Sequence, residues 1–335
     1  MVQSAAPITH GGDLGAARKL FPAAPEPLVD LSTGINPFSY PLPPLDPALF
    51  ARLPEPGAVD RLAAVAAAAF GAPSAAHVVA APGVQILLPM VAALMRPGRA
   101  AVLGRTYEEH ARAAALAGHG VRGVAQLSDL GGADLAVVVN PNNPDGRLLA
   151  RDALRDLADA LAPGLLVVDE AFIDATPQES IAPDVTRPNL VVLRSFGKFF
   201  GLAGLRLGFA LAPPALAVRL AAALGPWAVS GPALAIGAAA LADADWMAAT
   251  RARLAVAAQR LDTVLAASAL EIVGGTVLFR LVRTAAAATL FERLGRAGIV
   301  VRRFADQPTW LRFGLPGEEP AWQRLAAALQ GAQAR

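Results

Sequence analysis

The chain carries 29 lysines and arginines, and all but two, Lys19 and Lys198, are arginine. Lys198 lies in the stretch Ser195-Phe196-Gly197-Lys198-Phe199-Phe200-Gly201. Arginine stays protonated in proteins, whereas a lysine amine can lose its proton when desolvated or set beside other cations and can then condense with an aldehyde. Lys198 is therefore the first candidate for a covalent cofactor anchor. A compositional bias toward arginine, with Lys198 a remainder like Lys19, explains the count equally well.

Other groups with chemistry recur at comparable points. Gly83-Val84-Gln85 reads as the opening of a helix after a strand, where backbone N–H groups and the positive helix end bind anions. Asn143 offers an amide in the proline-stiffened turn Asn140-Pro141-Asn142-Asn143-Pro144-Asp145-Gly146. Asp169 puts a carboxylate at the rim of the apolar run Leu165 to Val168, and Ser195 and Arg206 bracket Lys198 with a hydroxyl and a guanidinium suited to one phosphate. Singly, each has a structural reading as a helix start, a turn, a helix N-cap or a surface arginine. Taken together, an amine, an acid, an amide and an anion pocket match the needs of pyridoxal phosphate. Its aldehyde needs a lysine, its ring nitrogen an acid, its phenolate oxygen a donor, and its phosphate helix amides with a cation.

The elements that must position these groups alternate. Short β-branched runs at His77 to Ala80, Ala100 to Leu103, Leu135 to Val139, Leu165 to Asp169, Leu190 to Arg194 and Arg206 to Ala210 are separated by alanine-rich helical stretches such as Glu108 to Ala117 and Arg151 to Ala162. That pattern predicts an α/β fold, a mainly parallel sheet covered by helices, with ligands at the strand C-termini. A proline-rich segment, Phe21 to Pro56, reads as an extended arm. After a helical region, Pro232 to Ala267, come strands at Thr276 to Leu281, Ile299 to Phe304 and Trp310 to Phe313, which predict a small α+β domain. Three parts follow: an arm at 1–45 joining the small domain, a large domain at 46–235 and the small domain at 236–335.

Composition bounds the function. Cysteine is absent, which excludes disulfide frameworks, thiolate metal sites and cysteine nucleophiles, and no metal is expected. A net charge of +2 with scattered arginines argues against a nucleic-acid partner. No apolar run reaches the length of a membrane span. The segment Met1 to Pro7 lacks the basic region and apolar core of a signal peptide, so the expectation is a cytoplasmic enzyme.

The segments His10-Gly11-Gly12, Ser32-Thr33-Gly34-Ile35-Asn36-Pro37, Asn140 to Gly146, Asp169 to Asp174, Ser195 to Phe209, Gly225-Pro226-Trp227 and Leu311-Arg312-Phe313-Gly314 occur in an order that resembles the fold-type I pyridoxal-phosphate enzymes. Within them the chain is similar to the branch containing histidinol-phosphate aminotransferase and the cobalamin-pathway threonine-phosphate decarboxylase, and looks most like the latter. The resemblance implies that Lys198 anchors the cofactor, Asp169 pairs with its ring nitrogen, Asn143 bonds its phenolate oxygen and Tyr107 stacks on the ring. It implies a phosphate held by Ser195, Arg206 and the amides at Gly83, Val84 and Gln85. Arg312 matches a substrate-carboxylate arginine, and His10, Asn36 and Arg302 are assigned to the substrate phosphate. A homodimer acting on a small phosphorylated amino acid is expected.

Two positions depart from the aminotransferase pattern. Phe172 stands where those enzymes carry a tyrosine donating to the phenolate oxygen, and Leu53 where they carry a tyrosine reaching the partner subunit's cofactor phosphate. Both put transamination in doubt without excluding it, and the resemblance implies decarboxylation of L-threonine O-3-phosphate. Two rivals stay open: an aminotransferase of histidinol-phosphate type, and a cofactor-binding accessory protein of cobalamin assembly without turnover.

Overall fold

The computed structural model describes residues 10–330; the segment Met1 to Pro7 discussed above lies outside them. Two compact units emerge. The smaller comprises the chain up to Phe38, Pro144–Gly146 and the part from Ala249 onward; the larger comprises Ser39–Asn143 and Arg147–Ala248. The sequence reading set its divisions at 45/46 and 235/236, whereas the units divide at Phe38/Ser39 and Ala248/Ala249 and lend the tip of the 140–146 turn to the smaller one. Gly274 and Gly275 explain the last point. Gly275 N–H donates to Asp145 O at 2.9 Å, and a Cβ on Gly146 would stand 2.0 Å from Gly275 O.

The smaller unit opens with β1 (Val29–Leu31), a strand inside the segment read as an extended arm. Prolines surround it but spare those three residues, which pair in parallel with a later strand. The larger unit contains β2 (Val78–Ala81), β3 (Arg99–Leu103), β4 (Gly120–Val124), β5 (Leu135–Val139), β6 (Leu165–Asp169), β7 (Leu190–Ser195) and β8 (Gly208–Leu211). They form one sheet in the order β2-β8-β7-β6-β5-β3-β4. Only β8 runs against its neighbours. Every residue of β5 and β6 is buried, as expected of parallel strands covered on both faces. Edge strand β4 was not anticipated, because Gly120 and Gly123 dilute its apolar signal.

The smaller unit resumes with β9 (Glu271–Thr276), β10 (Phe279–Arg283), β11 (Ile299–Phe304) and β12 (Gln307–Gly314), in the sheet order β1-β11-β12-β10-β9. The run Thr276 to Leu281 is not one strand. Thr276 Oγ1 accepts from Leu278 N–H at 3.1 Å and turns the chain into a hairpin. The long helical region is likewise two helices, Gly231–Ala242 and Ala244–Ala266, divided at Asp243, whose Oδ1 accepts from Trp246 N–H at 2.9 Å. Among the described residues no helix is long and apolar enough to cross a membrane.

Candidate active site

One edge of the seven-stranded sheet collects the C-terminal ends of β2, β5, β6 and β7 and the start of β8. At the end of β2, Gly83 has φ +89 and caps the helix Val84–Ala92. A Cβ on Gly83 would lie 2.5 Å from Arg206 Nη2, and one on Gly208 2.6 Å from Val84 N. Both positions therefore need glycine if the guanidinium and the helix amides are to meet. Arg206 itself adopts the left-handed region, φ 56, which a residue with a side chain seldom occupies. Its Nη1 donates to Ala203 O at 3.1 Å. Free helix amides beside an arginine fork make a cradle for a phosphate.

Asp169 closes β6 and is 4% exposed. Its Oδ1 accepts from Ala171 N–H at 3.0 Å, and its Oδ2 takes a 2.8 Å hydrogen bond from His110 Nε2. His110 belongs to the helix Glu109–Leu116 and is itself buried. Two donors orient the carboxylate while its remaining lone pairs stay available to a ring N–H. Sequence alone gives His110 no role, since nothing local links it to a residue 59 positions away. Tyr107, one turn earlier, packs edge-on against the His110 ring at 6.1 Å. Its hydroxyl donates to Gln85 Oε1 at 3.0 Å, and Gln85 Nε2 donates to Glu109 Oε2 at 2.9 Å. Gln85 thus contributes a side chain as well as the expected amide.

Lys198 sits on the short helix Phe196–Phe199 directly after β7, which ends in the half-buried Ser195. β7 is the parallel neighbour of β6, so lysine and aspartate leave adjacent strands at the same edge. Lys198 Nζ lies 5.6 Å from the centroid of the buried Phe172 ring. On the same short helix Phe196 stacks on Phe200, the residue that caps it, at 4.4 Å, and Phe200 stacks on Trp246 at 5.6 Å. Asn143 follows a turn braced by its neighbours: Asn140 Nδ2 donates to Leu149 O at 3.1 Å and Asn142 Nδ2 to Arg105 O at 2.9 Å.

The substrate candidates lie in the smaller unit. Arg302 and Arg312 are register partners on β11 and β12. Arg312 is 6% exposed, and its Nη2 donates to Ser32 O at 2.8 Å. Burial, and next the Arg302 charge, push Arg312 down to about 9, against the pull of Asp30; it remains cationic at neutral pH. The Arg302 guanidinium lies 5.4 Å from the centre of the Phe304 ring and that of Arg312 5.0 Å from the centre of the Phe279 ring; like charges on paired residues repel, and an anion bound near both would relieve the repulsion. Asn36 is buried, and its Oδ1 accepts from Phe38 N–H at 2.8 Å. His10 is exposed. The adjoining Gly12 N–H donates to Ser32 Oγ at 2.8 Å, and a Cβ on Gly11 would meet Ser32 O at 2.4 Å, so this segment lies close against the bend that follows β1.

Residues 59–329 match the model of the family "Aminotransferase class I and II". The chain belongs to this family. Among its relatives, the class I and II aminotransferase fold here is 43% identical to the threonine-phosphate decarboxylase of Pseudomonas aeruginosa, over 97% of this chain and 98% of that protein. It is 44% identical to the threonine-phosphate decarboxylase of a Sinorhizobium species, with the same shares covered. A solved histidinol-phosphate aminotransferase of Sinorhizobium meliloti superposes with a TM-score of 0.79 at 23% identity, covering 95% of this chain and 94% of that one. The fold is therefore the fold-type I architecture expected from the sequence. The donor set of the larger unit, a lysine, a doubly held aspartate and a glycine-lined anion cradle, fits pyridoxal phosphate.

Proposed function

We propose that this chain is a pyridoxal-phosphate-dependent decarboxylase converting L-threonine O-3-phosphate to (R)-1-amino-2-propanol O-2-phosphate and carbon dioxide, in cobalamin biosynthesis. The observation that carries this reading is 43% and 44% identity to two threonine-phosphate decarboxylases along nearly the whole length of both partners. When bound, pyridoxal phosphate supplies the electron sink for the bond broken at the substrate Cα. Lys198 Nζ would hold the cofactor and, as a free amine, would return a proton to the substrate Cα. Asp169, oriented by His110 and the Ala171 N–H, holds the proton on the ring nitrogen. The amides at Val84 and Gln85, with Ser195 and Arg206, would hold the cofactor phosphate, Asn143 would donate to its phenolate oxygen, and Tyr107 would pack against its ring.

His10, Asn36 and Arg302 are assigned to the substrate phosphate and Arg312 to its carboxylate. A dianion gripped away from the reacting carbon fixes rotation about the Cα bonds, and the bond standing perpendicular to the ring is the one that breaks. A tight hold on the carboxylate opposes its loss as neutral carbon dioxide, so Arg312 serves orientation more than affinity. Phe172 brings no hydroxyl to the phenolate oxygen, which leaves Asn143 as the donor and weighs against amino transfer.

Arg302→Ala is expected to raise KM for threonine phosphate by roughly 100-fold, in line with truncating one partner of a charge-assisted pair, and to change binding of unphosphorylated threonine far less. Equal losses on both substrates would remove Arg302 from the phosphate clamp. A panel of phosphothreonine, phosphoserine, threonine and histidinol phosphate, followed by carbon dioxide release, tests the substrate assignment; turnover of histidinol phosphate alone would overturn it. We also assign the enzyme to the cytoplasm and to a homodimer. Phe50 and Leu53 are 71% and 65% exposed, apolar surface that a second copy would cover. A monomeric mass in solution would contradict the dimer.

A further inference from the structure

Beyond the residues that meet the cofactor, β6 and β7 share a second set of polar side chains. Glu170, the residue after Asp169, donates its N–H to Leu193 O at 2.8 Å, so the ladder continues past the end of β6. Side chains alternate along a strand: Leu193 packs in the apolar cluster that includes Val167 and Ala113 from the His110 helix, and Arg194 points away from it. Arg194 is 2% exposed, with its guanidinium 4.3 Å from the centre of the Phe70 ring. Its Nη1 donates to Glu170 Oε2 at 3.0 Å and to Ser180 Oγ at 3.2 Å, and its Nη2 donates to Asp174. Glu170 also accepts from Ser180 Oγ at 2.6 Å and from Ile181 N–H at 2.8 Å. Burial pushes the Glu170 carboxyl up, against the pull of Arg194.

All three side-chain partners of Arg194 lie on the segment that leaves β6, and between Glu170 and Asp174 stands Phe172, the ring beside Lys198 Nζ. Glu170 adjoins Asp169; Arg194 adjoins Ser195 and begins the turn that carries Lys198. One arginine therefore staples the aspartate's strand end, the phenylalanine and the lysine's strand end together. Burying these ionisable groups is costly, and apolar residues of the same volume would hold two strands as well or better. What a forked, multiply bonded arginine adds is a single allowed geometry.

We propose that Arg194, Glu170, Asp174 and Ser180 form a positioning cluster that sets the spacing of Asp169, Phe172 and Lys198, and through it the tilt of the cofactor ring that selects carbon dioxide loss over amino transfer. The proposal rests on the cofactor and reaction assigned above. Ser180→Ala and Asp174→Asn keep the Arg194–Glu170 pair, and Arg194→Lys keeps the charge without the fork. Three readouts apply to each holoenzyme: thermal melting, the pH titration of the bound cofactor's visible absorbance without substrate, and the ratio of amine to 2-oxo product from threonine phosphate.

The folded variants should move the absorbance midpoint by about 0.5 pH units or more as the donors around the cofactor shift. They should lose kcat about tenfold with KM within about twofold, the pattern of misplaced rather than missing groups, and form more 2-oxo product, at most about one equivalent per bound cofactor, which would take up the amino group. If Arg194→Lys does not fold, the other two decide. Should Ser180→Ala and Asp174→Asn melt lower yet keep the parental midpoint and product ratio, the cluster is structural and the proposal is overturned. Should the parent release no carbon dioxide while the variants still shift the midpoint, the reaction assignment fails and the positioning role stands.

Discussion

Lys198→Ala is expected to abolish the visible absorbance of bound cofactor and to lower kcat by at least about 10⁴-fold, since the proposed mechanism assigns both the covalent anchor and the proton returned to Cα to this one residue. Fold should be retained, because Lys198 is only partly buried and the stacked rings of Phe196, Phe200 and Trp246 do not depend on its amine. Lys19→Ala is the control: that residue is exposed on the helix Leu14–Leu20 and should leave absorbance and rate unchanged. The two lysines differ in place, not in kind, so the pair isolates the effect of position. Retained absorbance in Lys198→Ala, read by spectrophotometry after gel filtration, would take Lys198 out of the mechanism.

Asp169→Asn should cost about 10²–10⁴-fold in kcat while changing the melting temperature little. The amide preserves shape, and its oxygen can still accept from the Ala171 N–H. It cannot hold a proton on the ring nitrogen by charge, and it places an NH₂ or forces a changed tautomer opposite His110 Nε2. His110→Phe should fall between parent and Asp169→Asn, because it removes one orienting donor and leaves the charge. Comparing kcat for the three proteins checks the order; an Asp169→Asn enzyme within about threefold of the parent would show that its carboxylate does not sustain the electron sink.

Much of this was legible in the chain because the relevant signals are local. β5, β6 and β7 stand out as apolar runs rich in valine and leucine since both their faces are buried. Asp169 stands out because it ends such a run, and Lys198 because it is one of two lysines and lies just beyond another. The signals that failed are those that composition dilutes or that depend on distant partners. Glycines hid β4, and prolines on either side hid β1. Strand β8 begins at Gly208 and not at Arg206, since a left-handed residue at 206 cannot belong to a ladder. His110 and Arg194 are ordinary residues until the sheet order sets their helix and strand beside Asp169 and Glu170. Arg302 and Arg312 are ten residues apart in a chain rich in arginine, and only the β11/β12 register makes them a pair. Carrying over the motif order of a family supplied the roles that residue chemistry alone left open.

Incubation of the purified protein with pyridoxal phosphate and L-threonine O-3-phosphate, with no 2-oxo acid present, tests the central claim most directly. Stoichiometric release of carbon dioxide with formation of 1-amino-2-propanol phosphate over many turnovers is the result expected here. Turnover that begins only when an oxo-acid acceptor is added, with the substrate carboxylate retained in the product, would contradict it.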